Sequence, residues 1–205
     1  MKLYLSIIVC FFILISCDKQ ENKLKLEKGI SFELAKYRKQ QISDVVYNLD
    51  FKIPKEKANA ISSRLEVNLK VNDLKNDVFL DFNEAATNLK SIKINGVKSE
   101  INHQKEHLII DKEKLVLGQN SIVIFFDAGE KSLNRNEEFL YTLLVPDRAS
   151  TLFPCFDQPD MKAKYNLRIT APFDWKVLAG GFEESIPHIV AYFDENPLGD
   201  ASKNT

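Results

Sequence analysis

The chain has 205 residues, with 28 Lys and Arg against 29 Asp and Glu, for a formal net charge of −1. That balance argues against a nucleic-acid binder or a polyanion partner, which calls for a basic stripe. The length suits one domain behind a targeting segment, and such a domain buries about two-thirds of its unfolded surface.

Lys2 gives a short positive start, and residues 3–15 are almost wholly apolar. This run has the length of a signal-peptide core and is too short to span a bilayer. It ends in Leu14-Ile15-Ser16-Cys17, which resembles a bacterial lipobox. The resemblance implies that residues 1–16 are cleaved and that Cys17 is lipidated, because only a thiolate is nucleophilic enough to take the lipid. At about 0.8 kcal/mol per buried CH₂, two or more acyl chains hold a protein stably on a membrane. The expected location is therefore the bacterial cell envelope, with the membrane as a partner; a plain secretory signal with an incidental Cys is the alternative. Residues 17–30 read as a solvated tether. Cys10 leaves with the signal and Cys17 carries lipid, so Cys155 alone remains and no internal disulfide is expected.

Residues 31–43 (SFELAKYRKQQIS) read as a short helix or an extended lead-in. Val45, Tyr47, Leu49, Phe51 and Ile53 then alternate with polar residues, predicting a half-buried strand closed by Pro54. Leu65, Val67, Leu69 and Val71 predict a second strand, and residues 78–82 a third. Ile92 and Ile94 lead to Asn95-Gly96, a strong hairpin signal because both residues tolerate positive φ. Residues 108–110, 121–126, 139–145 and 165–171 continue the series, and 175–178 reads as one more. Seven or more short strands without long helical periods predict an all-β fold, an antiparallel β-sandwich over residues 31–181. Residues 182–205 lose the alternation and read as an irregular tail, either natural or left by a truncated or frameshifted reading frame.

The run Phe153-Pro154-Cys155-Phe156-Asp157-Gln158-Pro159-Asp160 predicts a stiff loop. Pro154 and Pro159 fix φ and remove amide donors, Phe153 and Phe156 can anchor in a core, and Asp157 and Asp160 can accept from backbone amides around the turn. Rigid loops suit places where one domain meets another at fixed geometry.

With Arg148, Lys162, Ala163 and Tyr165, this run resembles the signature that ends the N-terminal β-domain of zinc aminopeptidases of the aminopeptidase N family. The likeness extends more loosely over residues 31–180. It implies that the loop is structural and Cys155 an inert buried thiol. It also implies that polar residues just before the loop line the pocket for the substrate's first side chain and amine. Here Leu143 and Val145 stand at those positions, so an amine contact is not expected; they would form an apolar pocket wall, or else sit in a strand core. The lone Trp175 reads as a core or inter-domain packing residue.

The same resemblance implies zinc and peptide substrates for a full-length enzyme, with HExxH supplying ligands and general base and GxMEN holding the substrate amine. Neither motif occurs before Thr205, so no cofactor, metal site or catalytic residue is expected in this chain. His103 and His107 match H-x-x-E-H in letters. That motif needs a helix to put both rings on one face, and here the pair reads as His in a solvated turn. His188 in the tail carries no signal. The expected function is the N-terminal β-lobe of a membrane-anchored zinc aminopeptidase, inactive alone. The alternative is a stand-alone lipoprotein β-sandwich that binds partners at the envelope.

Overall fold

The computed structural model describes residues 24–181. The expected signal peptide, Cys17, and residues 182–205 with His188 lie outside the described residues.

The polar run after residue 30 resolves as a helix, α1 (Phe32–Gln41). Ser31 caps it, its Oγ accepting the Leu34 N–H at 3.2 Å. Its buried residues are Leu34, Arg38 and Gln41, spaced by four and three, so one narrow stripe faces inward. The chain turns extended at Ile42 and enters the sheet without a loop.

Eleven strands follow: β1 (Ile42–Lys52), β2 (Ser62–Val71), β3 (Val78–Asp81), β4 (Leu89–Ile94), β5 (Val97–Ser99), β6 (His103–Gln104), β7 (His107–Ile110), β8 (Gly118–Asp127), β9 (Leu133–Arg135), β10 (Leu140–Thr142) and β11 (Lys164–Thr170). The larger sheet has the order β11-β1-β2-β8-β4-β5, a second runs β3-β7-β6, and β10-β9 is a separate ribbon. Every pairing is antiparallel except that of β1 with β11, which is parallel. The period-two pattern read from the sequence decides which face is inside. Tyr47 and Leu49 on β1, Leu65, Val67 and Leu69 on β2, and Ile122, Ile124 and Phe126 on β8 are buried. They share one core with Val78 and Leu80 on β3 and Leu108 and Ile110 on β7.

The hairpin expected at Asn95-Gly96 is present, with φ of 50° and 83°. A second tight turn at Lys105-Glu106, with φ of 50° and 68°, joins β6 to β7. The turn expected between the two histidines is present, although Lys and Glu carry no sequence mark for positive φ; β6 was not expected. The strand expected over 139–145 shortens to β10, and 175–178 forms none. β11 is the end of its sheet among the described residues, and residues 171–181 form no strand.

One close approach fixes how the core meets the loop before residue 153. A Cβ on Gly129 would stand 2.0 Å from the Thr151 carbonyl oxygen and 2.6 Å from Glu84 Cγ. The Gly129 N–H donates to the Leu152 carbonyl at 3.0 Å, so backbone must shift if a methyl is added. Gly129→Ala is expected to lower stability by about 1–3 kcal/mol, read as a lower urea midpoint.

Candidate functional site

The signature loop is fastened to a single residue of β3. Asp81 lies in the apolar run Val78-Phe79-Leu80-Asp81-Phe82, and its side chain is buried. Its backbone exchanges both hydrogen bonds with Cys155, Asp81 N–H to Cys155 O at 2.7 Å and Cys155 N–H to Asp81 O at 3.0 Å. Its carboxylate accepts the Asp157 N–H at 2.9 Å. Two residues on either side of Phe156 are thereby tied to one position.

A buried carboxylate needs compensating donors. Arg38, buried on the last turn of α1, supplies a fork: Nη1 to Oδ2 at 2.8 Å and Nη2 to Oδ1 at 2.6 Å. The guanidinium also lies 5.4 Å from the centre of the Phe156 ring, which adds a cation–π contact. His107, opposite Asp81 on β7, places Nδ1 2.8 Å from Oδ1. Burial alone would push the Asp81 carboxyl up; His107, Arg38 and the Asp157 N–H together outweigh it and hold the group below its ordinary range.

The rest of the loop is anchored in turn. The Phe156 N–H donates to the Tyr47 hydroxyl at 2.9 Å. Phe153 is buried edge-on against Tyr47 and Phe51, with ring centres 6.4 Å apart in each case. Gln158 reaches back to α1, its Nε2 donating to the Ala35 carbonyl at 3.0 Å. Asp157 accepts the Ser150 N–H at 2.9 Å, as the turn reading expected. Asp160 accepts instead from side chains, Lys39 Nζ at 2.9 Å and Gln158 Nε2 at 2.7 Å, because α1 passes beside it. Pro154 is buried and Pro159 exposed. Arg148 holds the approach to the loop by donating to the Lys131 carbonyl. Cys155 is buried, and burial pushes its thiol well up. A thiol kept protonated this way is a poor nucleophile.

The two histidines do not form a metal site. His103 Nε2 is 2.8 Å from the Phe82 carbonyl oxygen. His107 Nε2 is 3.0 Å from the carbonyl oxygens of Glu27 and Gly29, and its other nitrogen faces Asp81. They flank a β-turn rather than share a helix face, and His107 is buried rather than in a solvated turn. Three of their four ring nitrogens already face protein partners, so the pair does not fit zinc. Among the described residues no group of three or more His, Cys, Asp or Glu could hold a metal ion.

Leu143 and Val145 follow β10 and are 54% and 85% exposed, so neither is a strand-core residue. They continue an apolar surface begun by Phe139 and Tyr141, whose rings stack at 5.9 Å. Of fourteen exposed large apolar side chains among the described residues, nine lie between Phe139 and Leu178. The exposed apolar residues are thus concentrated in the sequence on either side of the loop. Trp175 is half-buried, while Phe173 and Leu178 beside it stand out in solvent.

The sequence reading found the loop but not its fastening. Arg38 sits in a polar run where nothing distinguishes it, and His107 was read as solvated. Asp81 left a usable signal: one acid inside an otherwise apolar strand has to be paired.

The family described as Peptidase M1 N-terminal domain matches residues 43–188. No curated protein matches the chain. Solved structures share the fold at low identity. Leukotriene A4 hydrolase from Saccharomyces cerevisiae aligns with a TM-score of 0.54 and 21% identity, covering 65% of this chain and 24% of its own. An M1 zinc metallopeptidase from Deinococcus radiodurans aligns with a TM-score of 0.51 and 14% identity, covering 63% and 32%. Aminopeptidase A from Legionella pneumophila, solved with aspartic acid, gives a TM-score of 0.52 and 19% identity, covering 63% and 16%. The chain thus spans a third or less of these proteins.

Asp81→Asn is expected to lower stability by about 3–5 kcal/mol in urea unfolding, since it leaves Arg38 buried and unpaired. The depressed carboxyl contributes stability that is full above the unfolded-state value near pH ~4 and is lost as pH falls through the folded-state value. The parent chain should therefore lose stability more steeply than Asp81→Asn on acidification below that point. Cys155 is expected to resist alkylation in the folded chain and to react once urea unfolds it, as read by peptide mass mapping.

Proposed function

Because the chain belongs to the Peptidase M1 N-terminal domain family, we propose that it serves as the N-terminal β-lobe of a membrane-anchored zinc aminopeptidase, an enzyme that removes N-terminal residues from peptides. The observation that supports this reading most is the pairing of a rigidly fastened loop with the apolar surface beside it. A protein that works alone rarely exposes such a surface, whereas a lobe that seats another domain requires one.

In this reading the chain supplies position rather than chemistry. Asp81, Arg38 and His107 hold residues 153–160, and the loop sets the height at which Leu143 and Val145 meet the catalytic part. Those two side chains form an apolar rim for the substrate's first side chain. The catalytic part supplies the zinc ligands and the general base, so this chain alone hydrolyses nothing. Lipid on Cys17 keeps the assembly at the envelope.

The test is to read the coding DNA through and beyond codon 205 in all frames, and to assay both products. The 205-residue chain should release no amino acid from aminoacyl anilides. A polypeptide continuous with downstream HExxH and GxMEN motifs should do so in a zinc-dependent manner. Chelator-sensitive hydrolysis by the short chain, or a downstream sequence with neither motif, would overturn the reading. Radiolabelled palmitate is expected to enter the chain in a bacterial host and to be absent from Cys17→Ser; equal labelling of both would remove the anchor from the proposal.

A further inference from the structure

The segment before α1 is laid along the domain and leaves it at one end. The Leu24 N–H donates to Asn76 Oδ1 at 3.4 Å. Lys105 Nζ donates to the Leu26 carbonyl at 2.8 Å, and His107 Nε2 is 3.0 Å from the carbonyl oxygens of Glu27 and Gly29. These partners follow the second sheet from end to end. Asn76 precedes Val78, which pairs with Ile110, and His107 stands opposite Asp81 at the other end of β3. Residues 24–29 therefore run toward the Asp81 cluster, and the chain before Leu24 departs from the Asn76 end.

That end is one pole of the sandwich. The Lys112 N–H donates to Asp77 Oδ1 at 3.0 Å, and Asn95 Nδ2 to the Lys114 carbonyl at 3.2 Å. The turns before β3 and before β8 and the Asn95-Gly96 hairpin thus gather there. β8 starts beside them at Gly118 and ends at Asp127, and its ten residues at about 3.4 Å each span about 30 Å. The other pole holds the signature loop. Gly129 donates to the Leu152 carbonyl, and the Ser132 carbonyl accepts the Leu143 N–H at 2.8 Å. Leu143 and Val145 belong to this second pole.

Six residues separate Cys17 from Leu24. A chain advances at most about 3.6 Å per residue, so a lipid on Cys17 stands no more than about 25 Å from Leu24. This leash is shorter than the domain. We propose that the anchored chain stands on the bilayer by its Asn76 pole, with the signature loop and Leu143 turned away from the lipid. The orientation rests on the reading that Cys17 is lipidated. An inverted domain would hold Leu24 about 30 Å from the surface, beyond the leash. Val97, Val116 and Leu117 are exposed at the Asn76 pole among the described residues and suit contact with the interfacial zone. Lysines and acids nearly balance over residues 72–77 and 111–117, so a neutral bilayer serves as well as an anionic one. A partner domain then meets the lobe clear of the membrane.

The test places the full lipidated chain, purified from a bacterial host, in phosphatidylcholine vesicles that hold a lipid spin-labelled at its head group. With Cys17 lipidated and Cys155 buried, Leu117→Cys or Val145→Cys offers a single thiol to a fluorophore. Both variants should match the parent in far-ultraviolet circular dichroism. The label at position 117 should lose most of its fluorescence to the spin label, and the label at position 145 should keep its own. Inserting about 30 Gly and Ser residues between Glu21 and Asn22 adds about 30 Å of mean reach, and the difference should shrink. Equal quenching at both positions, stronger quenching at 145, or none at either overturns the orientation while the anchor stands. A difference that survives the insertion overturns it too, since the short leash is then not its cause. Absence of lipid on Cys17, read by mass, removes anchor and orientation together and leaves the lobe reading intact.

Discussion

A single buried carboxylate sets the architecture of this chain. Asp81 cannot keep its charge inside an apolar strand without donors, and those donors come from three separate places: α1, β7 and the loop at residue 157. Each gives up freedom to satisfy it. α1 must present Arg38 inward, β7 must stand in register beside β3, and the loop must approach with its amides foremost. An apolar core fixes which residues are inside but tolerates small slips in how the elements meet; a fully committed carboxylate does not.

The same fastening links fold to role. The loop is stiff because its backbone is bonded at Asp81 and Tyr47 and its aromatic rings are sunk in the core. A surface attached to such a loop keeps its shape before any partner arrives, which lowers the ordering cost of docking. The histidine that completes the cluster also touches the carbonyls of Glu27 and Gly29. Part of the segment first read as a free tether thus lies against the body of the domain, and Lys105 adds a bond to Leu26 at 2.8 Å.

Much of the fold was legible because β-sheet burial writes itself into sequence with period two. The alternation over β1, β2 and β8 and the Asn95-Gly96 turn carried most of the larger sheet. The parallel closure of β1 by β11 was not legible, since nothing local distinguishes a strand that returns beside the first from one that extends a meander. β6 and β9 are two and three residues long, too short to show a period. The candidate site divides the same way. The proline-rich loop announced its stiffness through residue types, but Arg38, Asp81 and His107 lie 26 and more residues apart from one another in sequence and meet only in space.

The parallel pairing of β1 with β11 bears on the order in which the chain can be made. Asn48 bonds to Asn166 across 118 positions, and Ala35 to Gln158 across 123. The first elements synthesised are thus completed by nearly the last ones described, and contacts so far apart form slowly. Until the signature loop has been made Arg38 lacks its full setting, and until Lys164–Thr170 has left the ribosome one side of β1 stays an unpaired edge. A chain built this way folds only when most of it is present, so it remains extended, and open to whatever handles extended chains, for most of its synthesis.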